Sequence, residues 1–302
     1  MKRVLIADGM DPQKIEELID RGFEIIDKRV DSEELLDTVK VVDALVVRSR
    51  TKVNKNVVDA AAEAGRLKVV IRAGIGLDNI DLEACSNAGI EVYNTPNSSA
   101  NAVAELALGQ MISISRNVDL ANIELKKGLW NKEKYMGVEL SGKTLGLIGY
   151  GRIACELAKK ANALGMNVIF TSRSDKKCEE FRQVDLNQLL SESDYISVHI
   201  PGGKANHYFI NEPEFNKMKD GVYLIDLARG GIVCERALIE ALNSGKVRAA
   251  AVDVFECEPS DNTELLCHPK VSVTPHIGAS TYEAQKNIGT EVVERLVDRL
   301  YG

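Results

Sequence analysis

Apolar and polar positions along the chain follow two rhythms. Short β-branched runs recur between segments whose apolar residues return every three to four positions, a pattern that predicts βαβ units around parallel sheets. Residues 4–7, 41–47, 67–71 and 91–93 read as strands of a first block that ends near residue 97. Asp11 is placed to cap a helix with Pro12 at its first position and Ile15, Leu18 and Ile19 on one face. Helical patterns then run from 99 to about 117 and over 120–127, stopping at Gly128. The strand rhythm restarts at 144–148, followed by a glycine-rich turn, a helix over 152–164 and a strand at 167–171. Further strands are expected at 195–200, 223–228, 249–255 and 271–274, and a helix from about 281 to 300 closes the chain.

The length of 302 residues, at roughly 100–200 per domain, implies two domains. The restart near residue 99 makes both of them doubly wound α/β units, with an active site expected in the cleft between them. The formal charge of −7 argues against nucleic acid or an anionic membrane surface as partner. No uncharged apolar run approaches the roughly 18 residues of a membrane-spanning helix. The N-terminus enters a strand at once, so no signal peptide is expected. Cysteines at 85, 155, 178, 234, 257 and 267 show no CxxC spacing and the four histidines are scattered, so no metal site is expected. Most of the cysteines fall in apolar segments and are expected as small buried thiols in a reducing, cytoplasmic setting.

Gly149-Tyr150-Gly151-Arg152-Ile153-Ala154 follows a strand and opens a helix. Read as GxGxxA, it puts Gly149 in the tight turn, Gly151 where backbone approaches a pyrophosphate, and Ala154 where helix meets sheet. The helix N-terminus would offer amides to the anion. A carboxylate for the ribose 2′-hydroxyl is expected about 20 residues beyond the glycines in NAD-specific folds. The chain instead has Thr171-Ser172-Arg173-Ser174-Asp175-Lys176-Lys177. Ser172 and Arg173 suit a 2′-phosphate, favouring NADP(H), while nearby Asp175 keeps NAD(H) open.

Three more strand ends carry chemistry: Asp226-Leu227-Ala228-Arg229-Gly230, Asp253-Val254-Phe255-Glu256-Cys257-Glu258-Pro259 and Thr274-Pro275-His276-Ile277-Gly278. With Val47-Arg48-Ser49-Arg50, Arg72-Ala73-Gly74-Ile75-Gly76-Leu77-Asp78-Asn79, Asn94-Thr95-Pro96-Asn97 and Gly128-Leu129-Trp130-Asn131-Lys132, they closely resemble the D-isomer-specific 2-hydroxyacid dehydrogenases over nearly the whole chain. The first-domain motifs look most like the phosphoglycerate-oxidising branch.

The resemblance implies a Rossmann-type cofactor domain, residues 99–281, inserted into a flavodoxin-like substrate domain made of 1–98 and 282–302. It implies Arg229, Glu258 and His276 as the catalytic set, with Glu256 the rival carboxylate. Arg152, Ile153, His199, Ile200, Pro201, Leu227, Ala228, Asp253 and Gly278 would contact the cofactor, beside Gly149 and Gly151. Gly74, Ile75 and Gly76 would offer amides to the substrate carboxylate. The stretch Gly202-Gly203-Lys204-Ala205-Asn206 departs from the family pattern in lacking threonines.

A phosphorylated substrate brings two anionic groups to an acidic protein and needs local cations. Arg48, Arg50, Arg72 and Lys132, with Ser49, are the candidates. The expected substrate pair is 3-phosphoglycerate and 3-phosphohydroxypyruvate, and the alternative is a glyoxylate or hydroxypyruvate reductase. Corepressors similar to this family sense dinucleotides without turnover, a reading against which the intact Arg229/Glu258/His276 set argues. The chain ends at Gly302 without the regulatory domain of long-form relatives, so feedback by serine is not expected. The helices over 99–127 are the expected homodimer surface.

Overall fold

The computed structural model describes all 302 residues, which divide into two compact units. One consists of Met1–Ser99 with Ala279–Gly302 and the other of Ala100–Gly278. Each unit is a parallel sheet between helices.

In the first unit β1 (Lys2–Ile6), β2 (Phe23–Asp27), β3 (Ala44–Val47), β4 (Val69–Arg72) and β5 (Glu91–Asn94) lie in the order β2-β1-β3-β4-β5. Every pairing is parallel, so each connection crosses over through a helix. One face buries Leu5, Leu45, Val47 and Val70 under the helices Ser32–Thr38, Lys55–Ala64 and Leu82–Asn87. The other buries Val4, Ile6, Ile71 and Ala44 against Ile288, Val292, Val293 and Leu296 of the helix Tyr282–Leu300. That contact places the chain's last helix with its first strands.

The second unit contains β6 (Thr144–Ile148), β7 (Asn167–Thr171), β8 (Arg182–Gln183), β9 (Tyr195–Val198), β10 (Val222–Asp226), β11 (Val247–Val252) and β12 (Val271–Val273). Their order is β12-β11-β10-β9-β6-β7-β8, again all parallel. Strands β9 and β10 are buried along their whole length, so their apolar residues serve both faces of the sheet, with Ser197 and Asp226 the polar residues among them. The order reverses between β6 and β9, the position where ligands of such sheets bind.

Several expected bounds shift. The strand expected at 41–47 begins only at Ala44, because Asp43 accepts the Arg3 amide at 2.7 Å and ends the turn before it. The strands expected to reach 200, 228 and 255 stop at Val198, Asp226 and Val252, since beyond these points the backbone leaves the ladder. The edge strands β2 and β8 have no strong sequence signal, being short and half-polar. The expectation of mostly buried cysteines needs correction. Cys85 and Cys234 are buried, Cys155 and Cys178 are intermediate, and Cys257 and Cys267 lie exposed on polar loops. No helix is long and apolar enough to cross a membrane.

Candidate active site

His276 follows β12 in a left-handed backbone conformation, φ +53°, unusual for a residue with a side chain. The turn around it is held from inside by Asp253, which follows β11 and is 1% exposed. Its Oδ1 accepts the Thr274 hydroxyl at 2.6 Å and the Ile277 amide at 2.8 Å, and its Oδ2 accepts the Gly278 amide at 2.9 Å. Asp253, expected among the cofactor contacts, therefore gives its carboxylate to the histidine turn.

So oriented, His276 Nδ1 stands 2.8 Å from Glu258 Oε2. The other carboxylate oxygen, Oε1, accepts the Phe255 amide at 3.2 Å. Partial burial pushes Glu258 upward, but the hydrogen bond and charge of His276, the Phe255 amide and the charge of Arg229 outweigh it and hold the carboxyl below its ordinary range. Glu256 points elsewhere: Tyr208 donates to its Oε2 at 2.9 Å, and Glu256 and Glu235 exchange amide bonds at 2.9 and 2.8 Å. Geometry thus separates the two carboxylates. Arg229 follows β10, with Nη1 donating to the Ala228 carbonyl at 2.6 Å. A β-carbon at the next residue, Gly230, would lie 1.6 Å from the Phe255 carbonyl oxygen, so only glycine lets these two loops meet.

Buried Asp226, at the end of β10, accepts the Ala228 amide at 3.1 Å. Loss of water pushes its carboxyl up to about 7, against the opposing pull of that amide and of Arg229.

At the reversal between β6 and β9, Gly149 has φ +92°, and a β-carbon there would lie 2.6 Å from the His199 carbonyl oxygen. Gly151 faces open space, and the helix Arg152–Ala163 that it opens has no side-chain cap. The amides of its first turn are therefore available, and no side chain at Gly151 stands before them. Both features fit a pyrophosphate. His199 bonds Ser197 through Nε2 at 2.9 Å, and burial pushes its imidazole down to about 4. Leu227 is buried in the core and Ile200 packs against the core behind β9. The Pro201 carbonyl accepts Asn206 Nδ2 at 2.7 Å.

The matching family model, D-isomer specific 2-hydroxyacid dehydrogenase, NAD binding domain, covers residues 108–278 of this chain. The chain belongs to the D-isomer specific 2-hydroxyacid dehydrogenases. It is 44% identical to a hydroxypyruvate reductase of Thermotoga maritima, over 99% of this chain and 98% of that protein. It is 42% identical to a D-3-phosphoglycerate dehydrogenase of Methanocaldococcus jannaschii, over 100% of this chain but 58% of that longer protein. Among solved structures, a glyoxylate reductase from Paecilomyes thermophila superposes with a TM-score of 0.90 at 30% identity, covering 99% of this chain and 96% of that one. A D-2-hydroxyacid dehydrogenase domain of this kind uses a nicotinamide cofactor, and the glycine turn and bare helix end are where this chain would hold it.

The loop after β7 is pinned by Gln183, a residue with no evident signal in the sequence. Its Oε1 accepts the Lys176 amide at 2.9 Å, and its Nε2 donates to the Ser172 and Ser174 carbonyls at 3.3 Å each. Arg173 lies exposed on this loop.

The remaining expected substrate contacts lie on the first unit, except Lys132, which sits exposed on the second in the short helix Lys132–Tyr135. Arg48, exposed Ser49 and Arg50 follow β3; Arg72 ends β4 and Gly74–Gly76 follow it. The Gly74 amide already donates to the Arg72 carbonyl at 2.8 Å in a tight turn, which leaves Ile75 and Gly76 as the available donors. Gly74 has φ +150°, and a β-carbon there would sit 1.4 Å from Arg72 Nη1, so the arginine lies directly over it.

Proposed function

We propose that this enzyme transfers a hydride between a nicotinamide cofactor and C2 of a small D-2-hydroxy acid, with 3-phosphoglycerate and 3-phosphohydroxypyruvate as the leading pair. The observation that carries the reaction class is the 2.8 Å contact between His276 and an ionised Glu258. When bound, the nicotinamide supplies the hydride acceptor or donor. His276 Nε2 takes the 2-hydroxyl proton during oxidation, and in reduction the imidazolium returns it to the developing alkoxide. Glu258 accepts the Nδ1 proton and so fixes the tautomer that leaves Nε2 for the substrate. Arg229 offers a planar fork of donors to the substrate's carboxylate and 2-oxygen, fixing C2 for transfer. In this reading the Met1–Ser99/Ala279–Gly302 unit is the substrate domain and Ala100–Gly278 the cofactor domain.

The phosphorylated substrate is supported by Arg48, a half-buried cation near the charge of Asp8 whose guanidinium makes no hydrogen bond within the chain. Hydroxypyruvate is the second reading, favoured by the match to the Thermotoga maritima reductase over the full length of both chains. Initial rates with both 2-oxo acids, each with NADH and NADPH, separate the two. A catalytic efficiency much higher for the phosphorylated acid supports the first reading, and equal or better use of hydroxypyruvate supports the second. NADP(H) is the favoured cofactor because the loop after β7 offers Ser172 and an exposed Arg173.

We propose a homodimer, a reading supported by the apolar side chains left exposed on the helix Val118–Lys126 and just after it: Val118, Ile123, Leu125, Leu129 and Trp130, the last 80% exposed. Light scattering on the purified protein at micromolar concentration would return twice the chain mass, and a monomer would sink this assignment. Six free thiols, two of them exposed, accord with a reducing cytoplasm.

A further inference from the structure

Asp8 follows β1 and Arg48 follows β3, the neighbouring strands at which the order of the first sheet reverses. Ligands of doubly wound sheets bind outside the carboxyl ends of the strands at such a reversal. Here the chain builds a clamp. The Asp8 side chain is 4% exposed. Its Oδ2 accepts the amides of Arg48 at 2.7 Å and Thr51 at 3.2 Å, and its Oδ1 accepts the Thr51 hydroxyl at 2.8 Å and Arg50 Nε at 3.1 Å. From the opposite side Asn79 Nδ2 donates to the carbonyls of Arg48 at 2.8 Å and Thr51 at 2.6 Å. Amides and carbonyls of one four-residue turn are thus held by two side chains.

Burial pushes the Asp8 carboxyl up, but the Arg48 amide, the Thr51 hydroxyl and the Arg50 guanidinium outweigh it, so the group stays ionised. Within the turn the two arginines part company. Arg50 bends back onto Asp8, with Nη2 directed at the Ala7 carbonyl at 3.4 Å. Arg48 is more buried, meets no acceptor of the chain, and has its acidity raised by burial. The charge of Asp8 offsets that burial only in part, so a half-desolvated guanidinium that makes no hydrogen bond of its own gains from a ligand that brings an anion.

We propose that Asp8 and Asn79 are positioning residues for substrate recognition, holding the 48–51 turn so that Arg48 meets the anionic group the substrate carries beyond its 2-oxo acid, while Arg50 serves the clamp. This rests on the phosphorylated-substrate reading above.

The test is steady-state reduction of 3-phosphohydroxypyruvate and of glyoxylate, which has nothing beyond the 2-oxo acid, by the wild type, Asp8→Asn, Arg48→Gln and the double variant. For Asp8→Asn, KM for the phosphorylated acid is expected to rise about tenfold or more with kcat within about twofold, while both constants for glyoxylate stay within about twofold. The double variant should be no worse than Arg48→Gln, because both changes remove the same contact. Should Asp8→Asn fail to fold, Thr51→Val and Asn79→Ser each remove part of the clamp and are read the same way. An equal loss on both substrates would show general loosening and overturn the proposal, as would an additive double variant. A wild type indifferent to the phosphate defeats the substrate reading and this proposal with it. A wild-type preference that survives Asp8→Asn defeats the clamp alone.

Discussion

His276 Nδ1 and Glu258 Oε2 lie 2.8 Å apart, although 17 residues separate them in the chain and each sits in a loop after a different strand. Glu258 is held below its ordinary range, so its contribution to stability is present above that range and is lost as the pH falls through its lowered value.

The two members of this pair should differ in what their loss costs. His276→Ala is expected to cost about 10²–10⁴ in kcat with cofactor affinity nearly unchanged. Glu258→Gln should cost less, because the amide oxygen can still accept the Nδ1 proton while the negative charge beside the ring is lost. A kcat for Glu258→Gln equal to wild type would remove Glu258 from the proton transfer.

The two glycines of the dinucleotide turn should behave differently when a methyl group is added. Gly151→Ala meets open space in the fold and has an ordinary backbone angle, φ −94°, so its melting temperature should match wild type while the dissociation constant for the dinucleotide rises about tenfold or more. Gly149→Ala meets the His199 carbonyl at 2.6 Å with φ +92° and should lose stability as well. Fluorescence titration beside thermal melts reads both. Unchanged binding in Gly151→Ala would move the pyrophosphate elsewhere.

Asp226 carries a pH signature of opposite sign to that of Glu258. Its folded carboxyl titrates at about 7 instead of 3.8, so stability declines as the pH climbs from 3.8 through 7 and levels off above. The difference is worth at most about 4 kcal/mol. Asp226→Asn keeps an acceptor for the Ala228 amide and should therefore melt higher than wild type at pH 8.5 but not at pH 4. A variant equally stable with wild type at pH 8.5 would show that Asp226 is not strained by ionisation.

Cofactor choice should respond to the loop after β7 at two levels. Arg173→Asp is expected to lower the ratio of kcat/KM with NADPH to that with NADH by about tenfold, the scale of one charge-assisted contact. Gln183→Leu removes three hydrogen bonds that shape the same loop and should move the ratio in the same direction by less. If neither variant shifts it, Arg173 is a solvated surface charge.

Much of this arrangement was legible in one dimension. The glycines at 149 and 151, the arginine at 229 and the histidine at 276 all sit just past apolar runs, and a strand end announces itself where an apolar run stops. The clamp residues Asp8 and Asn79 were less visible, because a lone carboxylate or amide near a strand end is common and its target lies about 30 to 40 positions away. Gln183 gave no signal at all, since it lies on a two-residue edge strand that is neither long nor apolar enough to show a period.

Periodicity, glycine spacing and the chemistry of strand ends are local properties, and through them the sequence by itself determined two successive parallel α/β patterns, a dinucleotide turn and the residue types around a hydride-transfer site. Only the tertiary structure chose among neighbours. It turned Glu258 rather than Glu256 to His276, folded the Arg50 guanidinium onto Asp8 while leaving that of Arg48 without a hydrogen bond, tied the Gly74 amide to the Arg72 carbonyl, and joined the last helix to the first sheet. These outcomes depend on which way a side chain leaves its turn, and a backbone such as that of His276, set at φ +53° by the buried carboxylate of Asp253, takes its direction from a contact far along the chain.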